Sequence, residues 1–349
     1  MLFKVFPVSE LSRLFAILQP GRIVGPVKKG EDHHGKSLYD FDVVRDFADL
    51  HLDYTQTIHS AKNYFLPYRE DLCTFTFHDG DWRKDVDYGV YGPLVLFGLH
   101  PCDINALNKL DKVLLGGRYP NPFYGKKRAN MFIVGHSCNP QPFCFCKSMG
   151  TDSALRGFDL FLTRLGDIYF AEILSSQAFH LLEKIDCREP DGEEHRQYLE
   201  QIAARESMYV AHVDTSDLTK ILDLEFQAPV WREWGDRCLS CGTCAQVCPT
   251  CYCYGVEEQV DMDLSHGRKE KMLYSCNLLD FASVAGGHNF RPESHTRIKY
   301  RYYHKHRGFV EAFEESLCVG CGRCGQACLA RITVPEVIAS VRASQGGQE

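Results

Sequence analysis

Eight cysteines fall into two runs of one spacing: Cys238, Cys241, Cys244 and Cys248, then Cys318, Cys321, Cys324 and Cys328. Each reads C-x2-C-x2-C-x3-C, and the first ends in Cys248-Pro249. That spacing holds two [4Fe–4S] cubes in one chain. Three closely spaced thiolates wrap a turn of backbone round three irons, and the fourth cysteine points at the other cube. The expected sets therefore cross over. Cys238, Cys241, Cys244 and Cys328 hold one cluster, and Cys318, Cys321, Cys324 and Cys248 the other. Structural zinc also takes four cysteines, but its sites pair two C-x2-C knuckles and have no need of three in series. The chemistry implied is the movement of single electrons. The second run ends in Cys328-Leu329 where proline is usual, a change that touches packing rather than ligation.

Four more cysteines, Cys102, Cys138, Cys144 and Cys146, form a third candidate set. Cys102 and Cys138 each follow a short apolar run, and loops after adjacent strands of a sheet converge on one side of it. Four soft ligands from such loops suit a third [4Fe–4S] cluster or zinc. The alternative is four buried free cysteines acting as small hydrophobes. Of the remaining cysteines, Cys251, Cys253 and Cys276 are expected to line a cluster pocket or to replace an assigned ligand, while Cys73 and Cys187 are expected to be structural.

The elements that must carry these residues are legible in part. The runs GPLVLFG (92–98) and MFIVG (131–135) are apolar and bounded by glycine, as buried strands are. LFLTRL (160–165) and IYFAEI (168–173) flank Gly166-Asp167, a two-residue hairpin turn. A second turn, His78 to Asp81, follows the alternating TFTF (74–77). Residues from about 191 to 235 read as helical, with Asp214 or Thr215 as cap before Leu218, Ile221, Leu222 and Leu224. The long gap from Cys248 to Cys318 shows few strand alternations, and Ile298 to Phe313 suits a helix. Val334 to Val341 would be a closing helix, and residues 346–349 a frayed tail. The fold expected is α+β: a strand-rich mixed α/β N-terminal domain (1–185) with the third cluster site, a helical connection (186–230), and a mainly helical two-cluster, ferredoxin-like module (231–345).

Composition narrows the setting. The chain has 349 residues, 44% of them hydrophobic and 24% charged, enough for two domains with real cores. Its seventeen cysteines are too many for chance, yet a chain of this size has no need of disulfide staples. The start lacks the zones of a signal peptide, and no apolar stretch of roughly 18 residues could span a bilayer. A reducing cytoplasm is expected. The net charge of −7 argues against a nucleic-acid partner. One basic segment, Arg291 to Arg307 with Arg297, Lys299, Arg301 and Lys305, would offset cluster charge, face an acidic partner, or form a solvated helix face.

Catalytic machinery is missing from the sequence. It contains no GxGxxG after a strand, no phosphate-binding GxxxxGK[ST] loop and no HExxH. The segment from Gly21 to Gly30 is only superficially glycine-rich, and His288 is a lone histidine, structural or cluster-tuning. No catalytic residue is assigned, and substrate chemistry is expected on another subunit.

The block CLSCGTCAQVCPTCYC (238–253), with AGGHNFR (285–291), RYYHK (301–305), CDINA (102–106), CFC (144–146) and SMGT (148–151), resembles one family. It is similar to the iron–sulfur β subunits of soluble sulfhydrogenases, to the A subunit of anaerobic sulfite reductase, and to subunits of flavin oxidoreductases linked to heterodisulfide reductases. The resemblance is dense over 92–152 and 236–334. It implies a relay of electrons between a flavin-bearing, NAD(P)H-linked subunit and a catalytic subunit of NiFe hydrogenase, sulfite reductase or heterodisulfide reductase type. An iron–sulfur redox sensor or regulatory binding module is the competing reading, and a self-sufficient small-molecule reductase a third.

Overall fold

Neighbouring parallel strands lie at the centre of the fold, and the two glycine-bounded apolar runs supply them. The protein is seen in a computed structural model that describes residues 2–78, 80–89 and 92–344. Its strands are β1 (Leu2–Pro7), β2 (Arg22–Glu31), β3 (Ser37–Val43), β4 (Arg69–His78), β5 (Asp81–Asp85) and β6 (Leu94–Leu99). They continue as β7 (Met131–His136), β8 (Leu160–Leu165), β9 (Ile168–Ile173), β10 (Tyr254–Val260) and β11 (His266–Leu273). A seven-stranded sheet runs in the order β1-β9-β8-β7-β6-β2-β3. Its inner strands β2, β6, β7 and β8 are parallel, and β1, β9 and β3 close the edges antiparallel.

Parallel strands buried on both faces need apolar residues at every position, which is why β6 and β7 read as unbroken runs. Val95 and Phe97 point into one core with Leu14 and Phe15 of the helix Leu11–Leu18. Leu96 and Leu99 point the other way, against Ile104, Leu107 and Leu110 of the helix Pro101–Leu114. The β8–β9 hairpin turns at Gly166-Asp167 as expected, with Leu165 opposite Ile168. Of the expected turn His78 to Asp81, Asp79 lies outside the described residues, and the flanking strands β4 and β5 pair antiparallel. The tail 346–349 also lies outside them.

A second sheet, order β10-β11-β4-β5, departs from the expectation that the stretch between the cysteine runs has little strand. β10 is mostly exposed and β11 is half charged, so neither carries the buried apolar run that marked β6 and β7. They are held by pairing with β4, by the Lys269–Glu258 ion pair and by Glu70, buried between Lys127 and Lys271. The sheet's strands β4 and β5 interrupt the seven-stranded sheet in sequence, between β3 and β6, and β10 and β11 follow β9.

The helical stretches come as Gly192–Ser207, Leu218–Leu224 and Val230–Arg237. The cap before Leu218 is Asp217, whereas Asp214 accepts hydrogen bonds from Ser216. The helix Ser294–Tyr303 continues through a π-helical turn, His304–Gly308, into Phe309–Phe313. The closing helix is Val334–Ala343, entered through a capping box of Thr333 and Glu336.

One ion pair ties the sheet to the second cysteine run. Asp103, on the first turn after β6, accepts two 2.8 Å hydrogen bonds from the Arg323 guanidinium. Arg323 also donates to the backbone and side-chain oxygens of Thr57. The two charged side chains are only 1% and 3% exposed. Removing one partner of such a pair strands a buried charge. Arg323→Met should therefore cost about 3–5 kcal/mol of stability. Thermal and denaturant unfolding of the iron-loaded protein would read this, and a variant within 1 kcal/mol of wild type would contradict it.

Candidate metal centres

The two cysteine runs fold alike. After Cys238 the chain passes through Ser240 (φ 53°) and Gly242 (φ 80°) into the one-turn helix Thr243–Gln246, which carries Cys244. After Cys318 it passes through Gly320 (φ 65°) and Gly322 (φ 74°) into Arg323–Gln326, which carries Cys324. Left-handed residues at these points turn the backbone sharply enough to bring successive thiols to one side. In the second run only glycine fits. A β-carbon on Gly320 or Gly322 would come within 2.5 Å of the carbonyl oxygens of Phe145 and Phe143.

That close approach fixes the third cysteine set against the second run. Phe145 N–H donates to the Gly320 carbonyl at 2.8 Å, and the Thr151 hydroxyl donates to the Val319 carbonyl at 2.7 Å. Cys102 sits in the first turn of Pro101–Leu114 after β6, and Cys138 follows β7, so the loops of adjacent parallel strands do converge. The Cys146 thiol contacts those of both Cys102 and Cys144, and Cys138 feels the charge of Cys102 and Cys144. Cys321 of the second run is buried in the same apolar cluster as Cys102, Cys144 and Cys146.

Cys248, Cys318, Cys321 and Cys324 line one small cavity with Arg301 and Lys305. Cys244 has Cys238, Cys276 and Cys324 as its electrostatic neighbours. Cys238 and Cys328 pack on one apolar cluster, and Cys241 is exposed. Among the described residues no three His, Cys, Asp or Glu side chains close round a point as tightly as one bare ion needs. The thiols are grouped without being gathered on a single ion.

Three buried cations test whether anionic clusters fit here. Lys62, Arg301 and Lys305 are all buried, and none pairs with a carboxylate among the described residues. Lys62 donates to the carbonyls of Cys248 and Cys251 at 2.9 Å, and Lys305 to the Thr250 hydroxyl at 2.8 Å. Arg301 reaches the Cys244 carbonyl at 3.4 Å and leaves its Nε without a partner. An unpaired buried charge costs several kcal/mol. Iron-bound thiolates and sulfide would supply the missing negative charge. Burial alone would strip the Lys305 proton, but the charges of Cys248 and Cys251 outweigh it and raise the pKa above the ordinary lysine value. For Lys62 burial wins and the pKa falls. Burial also pushes Cys244 and Cys318 up to about 11, so these thiols bind iron by releasing protons.

Arg297, Arg301 and Lys305 share one buried helix face at spacings of four, pointing at the cysteine runs. The π-helical turn carries Lys305, and such turns occur often at functional sites. Arg307 instead pairs with Asp223 and Glu311. The basic segment is thus an internal feature, not a free cationic patch.

Other residues show what sequence alone missed. The β10–β11 hairpin closes with Cys253 at its start and Cys276 after its end, and their thiols meet, as do those of Cys251 and Cys248. Asn277 donates to the Cys244 sulfur at 3.2 Å. His288 is exposed and packs on Phe290, with no contact to a cysteine run. Cys73 is buried in β4, and the Cys187 thiol donates to the Leu182 carbonyl at 3.2 Å.

Residues 237–332 match a family described as a 4Fe-4S dicluster domain, which makes this an iron–sulfur protein. The chain is also 38% identical over 329 residues to sulfhydrogenase 2 subunit beta of Pyrococcus furiosus, covering 92% of each chain. It belongs to the sulfhydrogenase β-subunit family of iron–sulfur electron-transfer subunits. No solved structure matches it.

If Lys305 balances cluster charge, removing it should make the nearby cluster harder to reduce, because reduction adds negative charge. Lys305→Met is expected to lower one reduction potential by on the order of 50–100 mV, the one-electron equivalent of about 1–2 kcal/mol. A redox titration followed by electron paramagnetic resonance would measure it. An unchanged or raised potential would refute the charge-balance argument.

Proposed function

We propose that this chain relays single electrons through three [4Fe–4S] clusters inside a multisubunit oxidoreductase and carries out no substrate chemistry itself. In this reading Cys238, Cys241, Cys244 and Cys328 hold one cluster, and Cys318, Cys321, Cys324 and Cys248 a second. Cys102, Cys138, Cys144 and Cys146 hold the third. Bound clusters of this kind supply reversible one-electron chemistry. Residues 231–345 then form the two-cluster domain, 1–185 the domain of the third, and 186–230 the helical connection between them.

The observation that carries the reading is continuity. Thiols succeed one another from Cys138, through Cys102, Cys144 and Cys146, to Cys321 in the same apolar cluster, then through Cys324 to Cys244. Cys241, the exposed member, marks one end at the surface. Exposed Leu239 and Leu329 adjoin the two runs in sequence and suit contact with a partner subunit.

The chain's partners in this reading are a flavin-bearing, NAD(P)H-linked subunit on one side and a catalytic subunit on the other. The Pyrococcus relative's name favours a hydrogenase-type partner over sulfite reductase or heterodisulfide reductase. No helix among the described residues is long and apolar enough to cross a membrane. We assign the chain to the reducing cytoplasm, where thiols stay available for iron. The inward-facing Arg301 and Lys305 weigh against a nucleic-acid sensor.

Anaerobic purification from the native host tests the whole reading. The chain should carry about twelve iron and as much sulfide, four per cubane, and bring down a flavoprotein with a catalytic subunit. Cys138→Ser should remove about four iron while leaving the paramagnetic signals of the other two clusters. About eight iron in the wild type would delete the third cluster, and zinc without sulfide would end the electron-transfer proposal.

A further inference from the structure

At the carboxyl ends of β7 and β8 lies a cavity of about 470 Å³ that shares only Cys138 with the proposed electron relay. Ligands of open α/β sheets bind outside the carboxyl ends of parallel strands, and the volume falls in the range of small-molecule pockets. Its walls come from three places: the loop 52–55, the ends of β7 and β8, and the helix Gly192–Ser207. They are polar, with Ser137, Asn139, Gln141, Thr163 and Gln201 among them.

Two features ask for an occupant. His136 lines the cavity and is 5% exposed; its buried ring nitrogens make no hydrogen bond of good geometry, with the Ser137 backbone acting on the ring. Buried polar atoms are nearly always satisfied, so a ring without a good hydrogen bond is informative. Arg205, half-buried on the opposite wall, makes no hydrogen bond or ion pair through its guanidinium with another described residue. Arg164 adds a second guanidinium. The sole acid on the walls is Asp53, 3.9 Å from Arg164. The two guanidiniums outnumber the one acid among the described lining residues; Arg164 is exposed and donates to the Gly166 carbonyl at 3.0 Å, and buried Glu172 lies in the field of Arg205.

We propose that this cavity binds a small molecule headed by an oxyanion, a carboxylate or a tetrahedral anion, held between Arg205 and Arg164 over the buried His136 ring. The guanidinium fork matches the paired oxygens of either head, and the remaining walls offer hydrogen bonds to a polar body. Cys138 also lines the cavity, so the occupant would sit beside the third cysteine set. The site rests on the sheet and its loops; because Arg205 also acts on Cys138, an anionic cluster there would compete with the occupant for its charge and weaken the binding.

Calorimetric titration of the iron-loaded full-length chain at constant ionic strength, with sulfate and separately with acetate, tests this. Saturable binding of sulfate alone would assign a tetrahedral head, of acetate alone a carboxylate, and of both a shared oxyanion site. Arg205→Gln should weaken the binding at least about tenfold, the loss of one charge-assisted hydrogen bond. Arg164→Gln, at an exposed residue whose loss the fold should tolerate, should weaken it too. Arg196→Gln, on the outside of the same helix as Arg205, should leave it unchanged. No saturable heat with either anion would overturn the proposal, as would equal weakening by all three variants. Iron analysis of the same samples separates the two ideas: eight iron with sulfate binding intact would remove the third cluster and keep the pocket.

Discussion

Everything in this structure leans on the balance between buried cations and thiolate charge. Lys62, Arg301 and Lys305 are enclosed by protein, and among the described residues no carboxylate pairs with any of them. In an iron-free chain that arrangement would be among the most costly in the fold. It becomes sensible when the cysteine runs bind iron and sulfide, because the added negative charge lies where the cations point. Metal binding is then part of folding, as it is wherever ligands converge only in the native state. The same balance explains why a chain with net charge −7 places so much positive charge inside.

The second constraint is the joint between the seven-stranded sheet and the second cysteine run. Asp103 follows β6, Arg323 lies between Cys321 and Cys324, and their bidentate pair holds one element to the other. Gly320 and Gly322 let the run lie directly on the Phe143 and Phe145 carbonyls. Lys109 adds hydrogen bonds to Glu315 and to the Ser316 carbonyl at 2.6 Å, just before that run. Side chains from the sheet's crossover helix thus set the position of the cysteines. The geometry of the third set and of the second run cannot vary independently.

How much of this was legible depended on which physical signal each part carries. The cysteine runs were plain because ligation fixes spacing. Strands β6 to β9 were plain because burial on both faces, or a two-residue turn, leaves a local mark. The convergence of Cys102, Cys138, Cys144 and Cys146 could be argued from strand ends alone. The β10–β11 hairpin could not: its few apolar residues, Tyr254, Val256 and Val260, are exposed, and β11 pairs with β4, distant in sequence. Missing the hairpin hid the meeting of Cys253 with Cys276, which only its closure produces. The role of Arg297, Arg301 and Lys305 was open for a related reason. A basic stripe at helical spacing looks the same whether it faces water or iron, and only the packing decides.

The two ends of the thiol series differ in kind, and this bears on what each end can meet. At Cys241 the surface is exposed and its sequence neighbour Leu239 is apolar, the chemistry of a protein contact that excludes water. At Cys138 the series opens onto a concave hollow lined by Arg164, Arg205 and Asp53, the one proposed above to take a small anion. The two ends of the series therefore offer different chemistry: an exposed thiol beside an apolar side chain at one, and a hollow lined by two guanidiniums at the other.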